Sequence, residues 1–355
     1  TKVSAPISIA VDPISERAYL VNSNERVEFL DSTLMILNIT NPISPTLVNT
    51  APLPNSSGQA YFSAAQKRVY LPNRHSDNNQ DKSDRLLMVN VDEASPTFLS
   101  VSDFLSGDNP FGIACCDPRG RFLVASNGGQ LLRYDPVGDL SASTSFQFDV
   151  TLGSGEHIEG KGVSEVAIIA DQAFVTSRAG QIFVVNLTEL GDPLRQPLDY
   201  VITGEPEDLR GIATDGTLLF VVDAIRENPS LLVVNPESLK PTDAAATSEV
   251  TLASINTKAI NLGLDTDPNE VVYFAARKEL YVSNFGTDTI SVINADNLSL
   301  ITTISLNTGG FISDQPFGLA AFTLGGTDYL YVTNLASNNL LVINLATRAV
   351  VGSYP

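Results

Sequence analysis

The chain has 355 residues, 43% of them hydrophobic, with 21 basic against 40 acidic side chains and a formal net charge of −19. That length exceeds the usual single core and points to two domains or one repeat architecture, and no apolar run reaches the roughly 18–20 residues of a membrane-spanning helix. Such acidity disfavours nucleic acid and anionic lipid and suits cations, basic partners or a salty medium.

The start at Thr1, with neither an initiator Met nor an apolar leader, reads as processed or trimmed, with any targeting segment outside it. The first predicted strand is Ile7–Val11. A second, aromatic or aliphatic strand ending in a small polar residue then recurs as AYLVN (18–22), VYLPN (69–73), FLVAS (122–126), AFVTS (173–177), LFVVD (219–223), LYVSN (280–284) and LYVTN (330–334). Each is followed by an aliphatic strand ending in Asn or Asp: MILN (35–38), LMVN (87–90), LRYD (132–135), FVVN (183–186), LVVN (232–235), SVIN (291–294) and LVIN (341–344). The period is about 50 residues, stretched to about 60 between positions 223 and 284.

Runs of four to six Val, Ile, Leu, Tyr and Phe residues punctuated by Gly, Asn, Asp and Pro are strands. Several are apolar at successive positions, such as Leu340–Ile343, so both of their faces must be covered. Short antiparallel sheets repeated seven times with both faces buried predict an all-β, seven-bladed β-propeller of four-stranded blades. Its blades fall at roughly 5–54, 55–105, 106–152, 153–203, 204–252, 253–308 and 309–355 of one domain. Fourth strands are expected at 45–51, 144–150, 299–306 and 349–354, which makes every blade continuous in sequence. The first and last blades then meet by packing and share no strand.

The pieces LYVTN, LYVSN and PFGIA…DPRGRFLVASN resemble the YVTN-type β-propeller repeat, and the resemblance runs through all seven copies. It implies a surface-layer or secreted protein of the wider lactonase-like propeller superfamily, placed at the periplasm or cell surface. Lactonase-like or muconate-cyclising relatives are expected to converge His, Arg and Glu on one face. This chain has two His residues and no stretch matching such a site, nor a GxSxG, HExxH, P-loop or dinucleotide motif.

In this architecture, loops before the inner strands and between second and third strands share one face, the usual ligand site. Those loops are SGDNP (106–110), GEHIEGKG (155–162), GEPEDLR (204–210), LDTDPNE (264–270) and SDQP (313–316), dense in carboxylates. Arginines follow the second strands at 74, 178 and 226. Candidate partner-binding residues are Arg74, His75, His157, Glu159, Arg178, Glu207, Arg210, Asp223, Arg226 and Asp314, read either as a polar tunnel mouth or as a solvated loop face.

In HSDNNQDKSD (75–84), Asp77, Asn79 and Asp81 alternate as in a calcium loop. Lys82 and Met88 replace the required Gly and Glu, so an EF-hand fails. A looser Ca²⁺ site on Asp77, Asn79, Asp81 and Asp84 is one reading, and a polar hairpin loop without any cofactor is the other. Cys115 and Cys116 read as buried small hydrophobes, with a redox vicinal disulfide as the alternative. Residues 236–270, Ala/Thr/Ser-rich in the middle, read as an exposed excursion.

The functional expectation is a non-catalytic extracytoplasmic binding or scaffold module for a protein partner or cell-surface component. The alternatives are a lactonase-like hydrolase with a metal at the loop-face mouth, and a structural surface-layer subunit. Ligand identity and oligomeric state stay open.

Overall fold

The computed structural model describes residues 3–23, 32–54, 56–74, 84–117, 119–135, 144–151, 155, 157–190, 198–203, 208–239, 248–251 and 258–355. The chain is all-β and of the seven-bladed β-propeller class, with four-stranded antiparallel blades. A single 3-10 turn, Pro236–Leu239, is the only helical element among the described residues. No helix among them is long and apolar enough to cross a membrane.

The chain divides into two compact units. The unit formed by Thr1–Phe104 and Thr266–Pro355 holds four blades. Blade 1 runs Pro6–Asp12, Arg17–Asn22, Thr33–Asn38 and Thr46–Pro52. Blade 2 has an interrupted inner strand, Ser56–Ser57 and Tyr61–Ser63, then Arg68–Arg74, Arg85–Asn90 and Val101–Leu105. Blade 6 runs Pro268–Phe274, Glu279–Asn284, Thr289–Asn294 and Ser299–Ser305. Blade 7 runs Pro316–Leu324, Thr327–Asn334, Asn339–Asn344 and Ala349–Tyr354.

The unit Leu105–Asp265 holds three. Blade 3 runs Pro110–Cys115, Phe122–Ser126, Gln130–Tyr134 and Thr144–Gln147. Blade 4 runs Val163–Ile169, Gln172–Ser177, Ile182–Asn186 and Leu198–Thr203. Blade 5 runs Leu209–Thr214, Leu219–Asp223, Ser230–Val234 and Lys258–Asn261. Two departures occur here. The expected strand 144–150 breaks at buried Phe148, and Asp149–Thr151 forms a separate hairpin with His157–Glu159. The segment read as an exposed excursion supplies Ser248–Thr251, which adds in parallel to the outer strand of blade 4.

The repeat residues have distinct physical tasks. Third-strand asparagines 38, 90, 186, 235, 294 and 344 each accept an N–H two residues on, forming an Asx turn that starts the return to the outer strand. The second-strand aromatic fills the space between blades: Tyr331 is buried on blade 7 and donates its hydroxyl to Pro42 O on blade 1 (2.9 Å).

The second-strand hydroxyl is an inter-blade stitch. Thr176 Oγ1 accepts the Glu165 N–H of its own blade and donates to Arg210 O on blade 5. Ser283 Oγ likewise accepts from Glu270 N and donates to Phe317 O on blade 7.

Inner strands of blades 1, 3, 4, 5, 6 and 7 share a register shift after their first paired residue. In blades 1, 3, 4 and 7 the third position of that stretch meets the next blade. Gly318 lies there: an added Cβ would sit 2.6 Å from Ile7 O and 2.9 Å from Ser8 Cα, so blades 7 and 1 close backbone to backbone without sharing a strand.

The buried reading of the cysteines is corrected. Cys115 is the last paired residue of its strand and half-buried, and Cys116 lies beyond it, exposed. The two sulfurs are joined as a vicinal disulfide.

Candidate functional site

The loop face of blades 4 and 5, inside the unit Leu105–Asp265, brings predicted residues together. Arg178 follows the second strand of blade 4, and Asp208 and Arg210 open the inner strand of blade 5. Arg178 Nε and Nη2 donate to Asp208 Oδ1 and Oδ2 (2.9 and 3.3 Å). Arg210 Nε and Nη2 both donate to Asp208 Oδ2 (3.1 and 2.7 Å). One carboxylate thus holds two guanidiniums on the loop face of an acidic protein. Burial pushes the Asp208 carboxyl up, but the hydrogen bonds from Arg178 and Arg210 outweigh it and hold the group below its usual range.

The cluster is tied to the next loop, since Ala224 N–H donates to Asp208 O (3.0 Å). In that loop Asp223 is buried and accepts the Ile225 N–H at Oδ1, while Arg226 is exposed. Arg178 is also more than half exposed at its side chain, whereas Arg210 is mostly covered.

On the hairpin before blade 4, His157 Nε2 lies 3.1 Å from Asp149 Oδ1, with Nδ1 3.4 Å from Thr151 Oγ1. Glu159 pairs with Lys161, which holds its carboxyl below the usual range. These are exposed pairs of small energetic weight. In the other unit, Asp314 is exposed before the inner strand of blade 7. The neighbouring carboxylate Asp288 is occupied structurally, accepting from Gln315 N–H and Asn307 Nδ2. Arg74 ends the second strand of blade 2. His75, Asp77, Asn79, Asp81 and Glu207 lie outside the described residues, and Asp84, the described member of the calcium set, is buried. Among the described residues no group of three His, Cys, Asp or Glu is placed to hold a metal ion.

Sequence reasoning missed Glu165. It occupies the third slot of its inner strand, which holds glycine in blades 3, 5 and 7 (Gly112, Gly211, Gly318) and serine in blade 1 (Ser8). Its side chain is buried, and Oε2 accepts the Ile212 N–H of blade 5 (3.2 Å). Glu270 fills the same slot of blade 6, where Oε2 accepts from Gln59 Nε2 (3.1 Å). A blade-by-blade alignment of inner strands carries the signal: a carboxylate where sister blades have the smallest residues.

No protein-family model matches the chain, and no curated protein matches it in sequence. Solved structures do match in fold. The fold is a known one. Hydrazine synthase from Kuenenia stuttgartiensis aligns over 98% of this chain and 97% of its own at a TM-score of 0.66 and 13% identity. The β-propeller domain of Cps50 (Swd1) from Myceliophteria thermophila aligns over 96% of both chains at 0.65 and 9%. Virginiamycin B lyase from Staphylococcus aureus aligns over 93% and 94% at 0.61 and 12%. At such identities the likeness establishes the fold and leaves function to the site.

Proposed function

We propose that this chain is a non-catalytic, extracytoplasmic binding or scaffold propeller of the YVTN-repeat type. In this reading it engages a protein partner or cell-surface component through the loop face of blades 4 and 5. The Asp208 network carries the reading: it fixes two guanidiniums on short loops, beside exposed Arg226, in a chain of net charge −19. Guanidiniums held in place this way lose little freedom when they meet a partner's carboxylates. Calcium belongs to the reading through the 75–84 loop, where Asp77, Asn79, Asp81 and Asp84 are the proposed ligands.

The test is retention on cell envelopes isolated from the source organism. The wild type is expected to be retained, and the Arg178→Ala/Arg210→Ala/Arg226→Ala variant to lose about tenfold in affinity. Equal retention of the two overturns the assignment of the face. The same preparations are assayed for lactone hydrolysis and for self-association, each with Ca²⁺ and with EDTA. Turnover abolished by chelation replaces this reading with a hydrolase, and calcium-dependent assembly replaces it with a surface-layer subunit. A calcium-reversible fall in Tm on chelation is expected from a bound structural ion.

A further inference from the structure

We propose that Cys115 and Cys116 form a reversible thiol–disulfide exchange site on blade 3, with low-molecular-weight disulfides and thiols as its reaction partners. Three observations support it. The two sulfurs are adjacent in sequence and joined, so no chain movement is needed to bring them together. Cys116 is exposed past the last strand pair and Cys115 is half-buried, so one sulfur can be attacked from solvent while the other waits beside it.

The third is the local charge. The turn that follows is closed by Asp117 N–H to Arg121 O (2.8 Å), and the buried Asp117 carboxylate takes the Arg121 guanidinium (2.6 Å) and the backbone N–H groups of Arg119 and Arg121. Arg133 lies on the neighbouring third strand, paired with Leu123. Burial together with the nearby Arg121 and Arg119 pulls its guanidinium down to about 10. Arg121 is paired with Asp117 and Arg133 donates to Leu187 O (3.0 Å), so the exposed Arg119, three residues past Cys116, is the cation of this turn that can favour thiolate over thiol.

The chemistry balances as follows. In the reduced pair, Cys116 loses its proton to water and its thiolate attacks a disulfide R–S–S–R, releasing one thiolate RS⁻. The Cys115 thiolate then attacks the Cys116 sulfur of the mixed disulfide and expels the second RS⁻. The protein disulfide forms, two electrons pass to R–S–S–R, and the two departing thiolates take up protons as RSH. A dithiol reductant drives the reverse.

The experiment uses the full folded chain with dithiothreitol, oxidised glutathione and intact-mass analysis. As purified under air, native protein is expected to take up no iodoacetamide, and after native reduction to take up two carbamidomethyl groups. Reduced, desalted wild type given oxidised glutathione is expected to end two hydrogens lighter with no adduct. Cys115→Ser, which lacks the resolving thiol, is expected to keep one glutathionyl group. Arg119→Gln, which removes only an exposed cation, is expected to slow alkylation at neutral pH by about twofold. The proposal is overturned if native protein resists reduction, if reduced wild type keeps stable glutathione adducts, or if Cys115→Ser forms none while remaining folded. An unchanged rate in Arg119→Gln overturns the contribution of that arginine.

Discussion

The junction of blades 7 and 1 and the junction of blades 4 and 5 are built on the same repeat slots and filled differently. At the first, Gly318 lets two backbones touch, Tyr331 reaches Pro42 O, and Gly352 packs on the turn carbonyl of Ile43. At the second, the glycine slot holds Glu165, whose carboxylate accepts a backbone N–H of the next blade. The residue before the next blade's slot is Arg210, where blade 7 has Phe317 and blade 1 has Ile7. A backbone-tight closure and a charged one thus come from single substitutions in a common frame. Closure needs small residues and aromatics; the charged junction needs a carboxylate to neutralise the guanidiniums it displays.

The comparison breaks most visibly at the glycines. A Cβ on Gly352 would meet Ile43 O at 1.9 Å, and one on Gly112, in the slot equivalent to Gly318, would meet Ser164 O at 2.5 Å. Each glycine-to-alanine variant at 352, 318 and 112 is expected to lose about 3 kcal/mol in urea unfolding, because the obstacle is backbone. Glu165→Ala should lose about 2 kcal/mol by leaving the Ile212 N–H buried and unmet, and Glu165→Gln far less, since an amide oxygen still accepts. An equal loss in the two would mean that the negative charge itself is needed.

The hydroxyl stitches come next. Thr176→Val and Ser283→Ala are each expected to lose about 1 kcal/mol, with Thr333→Val no larger, because Thr333 Oγ1 bonds Gly318 N and O within blade 7. The smallest effect is a pH dependence at Asp208. Its pKa is lowered on folding, so its ion pairs contribute fully above the unfolded value of ~3.9 and are lost as pH falls through the lower folded value. The stability gap between wild type and Asp208→Asn should therefore shrink as unfolding is measured from pH 6 down to acid. A gap that widens on acidification contradicts the assignment.

Much of the frame was legible because each strand end carries its own chemistry. An aromatic followed by a hydroxyl and Asn, as in LYVSN and LYVTN, encodes a blade filler and a stitch. The Asn closing the third strand encodes an Asx turn. The loop arginines were legible as a group, but their shared partner was not, since Asp208 is one carboxylate among many in the rim loops. Two features escaped altogether. The parallel addition of Ser248–Thr251 to blade 4 joins segments about 50 residues apart, and local periodicity does not say which edge a strand will choose. The exposure of Cys116 depends on where its strand stops pairing, one residue earlier than its apolar neighbours suggest.

The most direct test of the binding role places a photo-crosslinking residue at either of two exposed loop-face positions, Arg226 in blade 5 or Asp314 in blade 7. Each variant is irradiated on the envelope of the source organism. A discrete adduct from position 226, absent from 314 and lost when Arg178→Ala and Arg210→Ala are added, is the predicted result. Adducts of equal yield from both positions, or from 314 alone, would contradict the account.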